Sequence, residues 1–265
     1  MSVQSTRSAL QGASYGNTAG EGIPFTRLFL AELRKLTDTR VSRWLLVAIA
    51  AATPIVIAVM LVVAAPSNLT YDKLVDYTQT PQKLLLPALG ILVITSEWSQ
   101  RTGLVTFTLV PDRRRVLLAK AAAALGLGLV VIVIALAVAA VGNLLGGLRH
   151  GDGSWAFGAQ GFGEIILLQL SSLLLGLAFG MLLRSSAAAI AAYYVLPQMW
   201  TLLFTASALK RVAPWVDLNK AQNPLYTHQV TGTGWLQLLV AASIWIALPL
   251  AAGTIQALRG EIKSA

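Results

Sequence analysis

The sequence has 265 residues, of which 56% are hydrophobic and 12% are charged. Soluble domains carry about 25% charged residues, so this chain has too little charge to cover a water-facing surface. Its net charge of +9 lies in short clusters beside apolar runs, a pattern that indicates membrane topology and argues against nucleic-acid binding.

The N-terminal region divides into a polar tail and an amphipathic helix. Residues 1–22 are rich in Ser, Gly and Gln and predict a disordered cytoplasmic tail. Residues 24–42 place apolar side chains at helical spacing on one side and basic ones mostly elsewhere. They predict a helix that lies in the membrane surface, with an ordinary solvated helix as the alternative. The residues that define this helix are Phe25, Leu28, Phe29, Leu33, Arg34 and Lys35.

The remaining chain predicts an all-α integral membrane protein with a single membrane domain over residues 23–265. Six segments approach the length of about 20 apolar residues that a spanning helix needs. They cover residues 44–65, 81–97, 117–145, 165–183, 187–208 and 235–258. The second reaches spanning length only if its helix begins near Pro81, and residues 66–83 before it are interpreted as a polar loop.

The distribution of Lys and Arg predicts the orientation of these spans. With six spans and a cytoplasmic N-terminus, fourteen of the 20 Lys and Arg residues fall on the cytoplasmic side and six fall opposite, Lys83 among them. Positive residues are retained in the cytoplasm, so the pattern favours cytoplasmic N- and C-termini.

The segment between the second and third spans, residues 97–120, is the most informative part of the chain. Its apolar stretch LVTFTLV is too short to cross a bilayer and too apolar for a solvated loop. Its β-branched residues suggest a strand, but a lone strand at a membrane surface would have no partner. We therefore expect it either to lie in the lipid interface or to contact another protein.

Three segments of the sequence share features with a known family of membrane proteins. The first is AELRKLTDTR before the first span. The second is the 97–120 segment, with Arg101-Thr102-Gly103 and then Pro111-Asp112-Arg113-Arg114. The third is Gln222-Asn223-Pro224-Leu225 before the last span. With these segments, and with six predicted spans after a cytoplasmic N-terminus, the sequence resembles the permease subunit of ABC-2 type ABC transporters over most of its length.

The resemblance implies a function and a set of partners. Residues from Trp98 to Val110 would form a coupling helix that docks on a separate ATPase subunit, with Glu97 and Arg101 four residues apart as in a helical ion pair. The three arginines at 113–115 would meet lipid phosphates or the ATPase, or would only fix topology. The predicted coupling residues are Glu97, Trp98, Arg101, Thr102, Leu104, Phe107, Pro111, Arg113 and Arg114.

The expected assembly is two permease subunits, identical or homologous, with two copies of the ATPase, in contact with membrane lipid and not with nucleic acid. ATP and Mg would bind the ATPase, because this chain has no G-x-x-x-x-G-K-S/T loop to hold phosphates and should not be an enzyme itself. The expected location is a cell membrane, as a multi-pass protein of the bacterial cytoplasmic membrane.

Other chemistry has little support in the sequence. Without cysteine there can be no thiolate metal site, and His150 and His228 are each expected to be solvated side chains rather than metal ligands. We expect no metal and no cofactor in this chain. Carboxylates deep in the predicted spans are missing, which argues against an ion-coupled carrier.

The fifth predicted span is unusually polar and aromatic for a helix that faces lipid. Tyr193, Tyr194, Gln198 and Thr201 predict that it lines a substrate path together with the second span, with hydrogen bonding between helices as the alternative. Small residues at 176 and 180, and at 142 and 146, predict close helix approach. The predicted cargo is a small amphipathic molecule, drug or peptide that is exported; the alternative is a non-ABC membrane protein, either an ion-coupled carrier or an assembly factor.

Overall fold

Helices form all the regular secondary structure in the part of the chain that the structure describes. The computed structural model describes residues 24–99, 113–204 and 209–259, without the side chains of residues 97–99. The predicted tail at 1–22 lies outside the described residues. Most of the predicted coupling residues also lie outside the described residues: Arg101, Thr102, Leu104, Phe107 and Pro111. For two others, Glu97 and Trp98, the structure describes the backbone only.

The described chain contains ten α-helices, numbered here in chain order. They are α1 Phe25–Asp38, α2 Arg40–Val63, α3 Tyr71–Ser99, α4 Arg113–Gly147, α5 Ala159–Leu183, α6 Ser186–Leu203, α7 Ala213–Val216, α8 Leu218–Tyr226, α9 Gly232–Ala242 and α10 Leu248–Arg259. A single 3-10 turn, Pro66–Asn68, precedes α3, and a π-helical segment, Ser243–Ala247, joins α9 to α10. The all-α prediction is therefore confirmed for these residues.

Four of the described helical segments are long and apolar enough to cross a membrane. They are Arg40–Val63, Arg113–Gly147, Ala159–Leu183 and Gly232–Arg259, which match the first, third, fourth and sixth predicted spans. The other two predicted spans correspond to α3 and α6, which carry more polar side chains. Membrane-protein character is thus supported, whereas the count of six spans and the orientation stay predictions.

The predicted surface helix ends earlier than expected. Helix α1 stops at Asp38, and extended backbone at Thr39 (φ −73°, ψ 137°) separates it from α2, so the predicted end at residue 42 is wrong. Helix α1 packs mainly on α4. Its buried face holds Glu32 beside Leu36, so a carboxylate lies on the same side as one of the apolar residues.

The largest departure from the sequence analysis is the start of α3. This helix begins at Tyr71, and residues 71–83, which we interpreted as a polar loop, are helical. The polar side chains of Thr78, Gln79 and Gln82 do not face water, because they are buried against other helices. Lys83 is consequently the thirteenth of the 29 residues of α3, near the middle of a helix about 42 Å long.

Helices α3 and α5 form the most extensive helix pair of the described chain. A Cβ atom added at Gly90 would lie 2.7 Å from the carbonyl oxygen of Leu173, and one at Gly176 would collide with the carbonyl oxygen of Pro87. Glycine is therefore required for the backbones to approach this closely. The predicted close packing at residues 176 and 180 is confirmed. At Gly142 an added Cβ would likewise meet a neighbouring helix, at Ile57.

The last helical segment runs from Gly232 to Arg259 and changes its geometry in the middle. The π-helical stretch Ser243–Ala247 places Trp245 in the interior, where its indole N–H donates to the carbonyl oxygen of Val216 at 2.8 Å. Further along, Gly253 lies so close to α5 that an added Cβ would come within 2.6 Å of the carbonyl carbon of Met181. These two contacts fix the last segment against the rest of the bundle.

Candidate functional site: a polar cavity between four helices

A polar cavity opens between α3, α5, α6 and α8, inside a bundle whose outer surface is largely apolar. Its volume is about 340 Å³, within the range of about 300–1,000 Å³ typical of small-molecule sites. Each of the four helices contributes four residues: Gln79, Thr80, Lys83 and Leu84; Leu168, Gln169, Ser172 and Leu175; Tyr193, Tyr194, Pro197 and Gln198; Leu218, Asn219, Gln222 and Tyr226. A second, more open cavity of about 390 Å³ adjoins it and reaches Thr201 and Asn223.

Helix α6 supplies the residues that the sequence analysis assigned to a substrate path. Tyr193, Tyr194 and Gln198 line the first cavity, while Gln198 and Thr201 line the second. The Tyr194 hydroxyl donates to the carbonyl oxygen of Leu84, so α6 is tied to α3 across the cavity. The structure brings all four predicted residues together and also places α3, the second predicted span, beside them.

Helices α3 and α5 meet through glutamine side chains at the cavity wall. The Gln169 amide donates to the side-chain oxygen of Gln79 at 2.6 Å, and its own oxygen is buried without a partner among the described residues. Gln82, one turn along α3, is buried with neither polar atom bonded to a described residue. Each unpaired buried polar atom costs about 1–3 kcal/mol, so the four-helix junction is polar at a real energetic cost.

Helix α8 is held in place by a cap at its start and a hydrogen bond to α5. The Asp217 carboxylate, which is 1% exposed, accepts hydrogen bonds from the backbone N–H groups of Asn219 and Lys220 at 3.0 and 3.4 Å. This is the usual way in which an N-cap residue satisfies the first turn of a helix. On the buried face, the Gln222 amide donates to the hydroxyl of Ser171 at 2.8 Å.

Two prolines free backbone acceptors at the cavity. Proline has no N–H, so a proline inside a helix leaves the carbonyl group four residues earlier without its intrahelical donor. Pro87 has this effect on Lys83, and Pro197 has it on Tyr193. Both affected residues line the cavity. The site therefore combines amide groups, hydroxyls and backbone carbonyls with leucine side chains, a composition suited to holding an amphipathic ligand.

Lys83 is the one charged side chain among the described residues that line the two cavities. Its ammonium nitrogen lies 4.9 Å from the centroid of the Tyr226 ring, a favourable cation–π distance. From the sequence alone, this lysine was expected in an outer loop. Its place on a helix was detectable, because Asp72, Asp76, Gln79 and Lys83 recur at intervals of four, three and four residues, as one face of a helix does.

At the end of the bundle where α1 meets α4, a buried ion pair joins the two helices. Lys120 of α4 approaches Glu32 of α1 at 2.5 Å, and Lys35 contacts the other oxygen of the same carboxylate at 2.6 Å. About two turns earlier on α4, the Arg113 guanidinium donates to the carbonyl oxygen of Ala257 in α10 at 3.3 Å. The start of α4, which directly follows the predicted coupling segment, is thus connected to both ends of the described chain.

At the opposite end of the bundle, a histidine joins the last loop to α3 and α5. One ring nitrogen of His228 hydrogen-bonds the buried carboxylate of Glu164, and the other lies 3.7 Å from Asp72. The hydrogen bond to Glu164 is the main reason that the pKa of His228 lies above its ordinary value, and Asp76 adds to the effect. His228 is therefore only partly solvated and is held by Glu164, whereas His150 is exposed as expected.

No protein-family model matches the chain, and no curated protein matches it.

Proposed function

We propose that this chain is the transmembrane permease subunit of an ATP-driven exporter of the ABC-2 type. It would move a small amphipathic molecule, drug or peptide across the bacterial cytoplasmic membrane. Two such subunits, identical or homologous, would work with two copies of an ATPase subunit that binds ATP and Mg. The proposal rests on the resemblance in three segments of the sequence together with the cavity.

The cavity is the observation that carries the proposal. Polar groups between membrane helices are costly, and they concentrate where a protein binds or conducts a polar species. The two adjoining cavities together include the four residues that were assigned to a substrate path from the sequence alone, Tyr193, Tyr194, Gln198 and Thr201. Their mixture of amide, hydroxyl and leucine groups suits an amphipathic cargo.

The ion pair between Glu32 and Lys120 suggests how an ATPase could act on this cavity. Helices α3 and α4 flank the predicted coupling segment in the chain, so a push on that segment would reach both. Helix α3 carries a wall of the cavity, while α4 would transmit motion to α1 through the ion pair and to α10 through Arg113. Such movement would change the access to the cavity from the two sides of the membrane.

The test is purification of the tagged chain from its own membranes in a mild detergent. A partner ATPase with a phosphate-binding loop should co-purify, and ATP hydrolysis by the complex should be measurable. Phe107→Asp, in the predicted coupling segment, should abolish both, whereas Lys73→Met, on an exposed part of α3, should leave both intact. Recovery of the folded chain without an ATPase would contradict the proposal.

An ion-coupled carrier is the second candidate, and Lys83 is the observation that favours it. The sequence places no carboxylate deep in a predicted span, which counts against a carrier, but Lys83 is an ionisable group near the middle of α3. Such groups mark ion and substrate pathways in carriers. Transport in vesicles distinguishes the two: dependence on ATP favours the exporter, and dependence on a proton or sodium gradient without ATP favours the carrier.

A further inference from the structure

The position of Lys83 limits the chemistry of a ligand in the cavity. The side chain is exposed in the single chain and borders both cavities. If α3 crosses the membrane, its midpoint lies far from either surface, where an ammonium group is costly unless it is paired. A cation at this position therefore requires an anionic or strongly polar partner.

No carboxylate of the described chain fills that role. The residues three and four positions away on α3 are Gln79, Thr80, Leu86 and Pro87, so no helical ion pair is available. Lys83 has no ion pair within 4 Å among the residues that the structure describes, and its ammonium group lies over the ring of Tyr226. The lining side chains of both cavities include amides, hydroxyls and apolar groups but no described acid.

Hydrogen-bond donors accompany the ammonium group. Gln79 lies one turn before Lys83 on the same face, and its side-chain oxygen already accepts from Gln169. Its NH2 group is therefore the part left to donate into the cavity. A carboxylate or phosphate accepts several hydrogen bonds at once, and bonds of this kind that involve an ion are about twice as strong as neutral ones.

The rest of the wall accommodates an apolar chain. Leu84, Leu168 and Leu175 come from two different helices and line the same cavity as Lys83. We propose that the cavity binds an anionic amphiphile, with its carboxylate or phosphate group against Lys83 and its apolar part along these leucines. This inference deepens the proposed function by naming the class of cargo, but the binding itself requires no ATPase.

The experiment uses the purified chain in nanodiscs of phosphatidylcholine and a fluorescent fatty acid, 11-(dansylamino)undecanoic acid, with its methyl ester as the uncharged match. Because hydrogen bonds to charged groups are strong, the acid should bind the wild-type chain roughly 10- to 100-fold more tightly than the ester. Lys83→Met should remove this preference, and Lys83→Arg should keep it. Lys73→Met, ten residues earlier on the same helix, should keep it too.

A second set of nanodiscs, in which phosphatidylglycerol replaces part of the phosphatidylcholine, identifies the source of the anion. Competition with the acid would show that lipid headgroups share the site, and lack of competition would assign it to free amphiphiles; both outcomes agree with an anion site at Lys83. Equal binding of acid and ester by the wild-type chain would overturn the inference, as would an unchanged preference in Lys83→Met. A failed ATPase co-purification alongside a clear acid preference would refute the exporter and leave the site standing.

Discussion

Replacing Lys120 by methionine tests whether the ion pair between α1 and α4 stabilises the bundle. Glu32 contacts two lysines at almost equal distances, 2.5 Å for Lys120 and 2.6 Å for Lys35. Their environments differ greatly, since the side chain of Lys120 is 2% exposed and that of Lys35 is 49% exposed. The two lysines thus form an internal comparison in which the carboxylate is the same and burial is the variable.

The expected free energies follow from this difference. Removing one partner of a buried pair costs about 3–5 kcal/mol, because the remaining charge is left out of water. Lys35 still contacts Glu32 in Lys120→Met, so we expect a loss near the lower limit, about 3 kcal/mol. Lys35→Met should cost at most about 1 kcal/mol, as exposed pairs do. Methionine preserves most of the lysine stem, so packing changes little in either variant.

Equilibrium unfolding in detergent, followed by tryptophan fluorescence, measures both variants. A double-mutant cycle with Glu32→Gln isolates the pair: Lys120→Met should cost much less in the Glu32→Gln background than in the wild-type chain. Equal losses in Lys120→Met and Lys35→Met would refute the reasoning, because burial would then not determine the strength of the contact. Simple additivity in the cycle would refute it as well.

Three further predictions concern other contacts of the bundle. Gly176→Ala should destabilise the chain by about 1–3 kcal/mol through overpacking, whereas Gly163→Ala on the same helix, with open space around it, should be neutral or slightly stabilising in thermal unfolding. Asp217→Ala should cost about 1 kcal/mol by removing the cap of α8, and Asp217→Asn should retain most of it by the same measurement. The raised pKa of His228 means that its contact with Glu164 contributes stability below the ordinary histidine pKa and loses it as pH rises through the folded-state value. The unfolding midpoint of the wild-type chain should therefore fall through this window relative to that of His228→Gln, and parallel curves for the two proteins would contradict the assignment.

Hydrophobic periodicity predicted the apolar helices well and the polar one poorly. Long apolar runs such as Arg113–Gly147 can be recognised as helices from the sequence alone, because each run is longer than a membrane-spanning helix needs to be. Residues 71–83 were misinterpreted because they contain acids, amides and a lysine. Burial between helices explains how these polar residues can belong to a membrane helix, since Gln79 and Gln82 face protein and not water. Average hydropathy cannot distinguish a polar loop from a polar helix face that is covered by neighbours.

The candidate site was half predictable for the same reason. Tyr194 and Gln198 stood out because they interrupt an apolar segment, and the structure places both at the cavity. Gln169 and Lys83 were missed. Gln169 is an isolated amide in the long apolar part of α5, and Lys83 was assigned to a loop outside the membrane. Only the packing of α3 on α5 brings these side chains to the same wall, and long-range packing of this kind leaves no mark in local sequence.

The π-helical stretch Ser243–Ala247 determines the direction in which the side chains of the following helix, α10, point around the helix axis. A π-turn accommodates one residue more than an α-turn, and each residue of an α-helix rotates the following side chains by about 100°. Deleting one residue here would restore regular winding, but it would swing Gly253 away from Met181, the spot where α5 tolerates no side chain. Because of the π-helical stretch, one continuous helical segment can direct Trp245 towards α7 and Gly253, which has no side chain, towards α5.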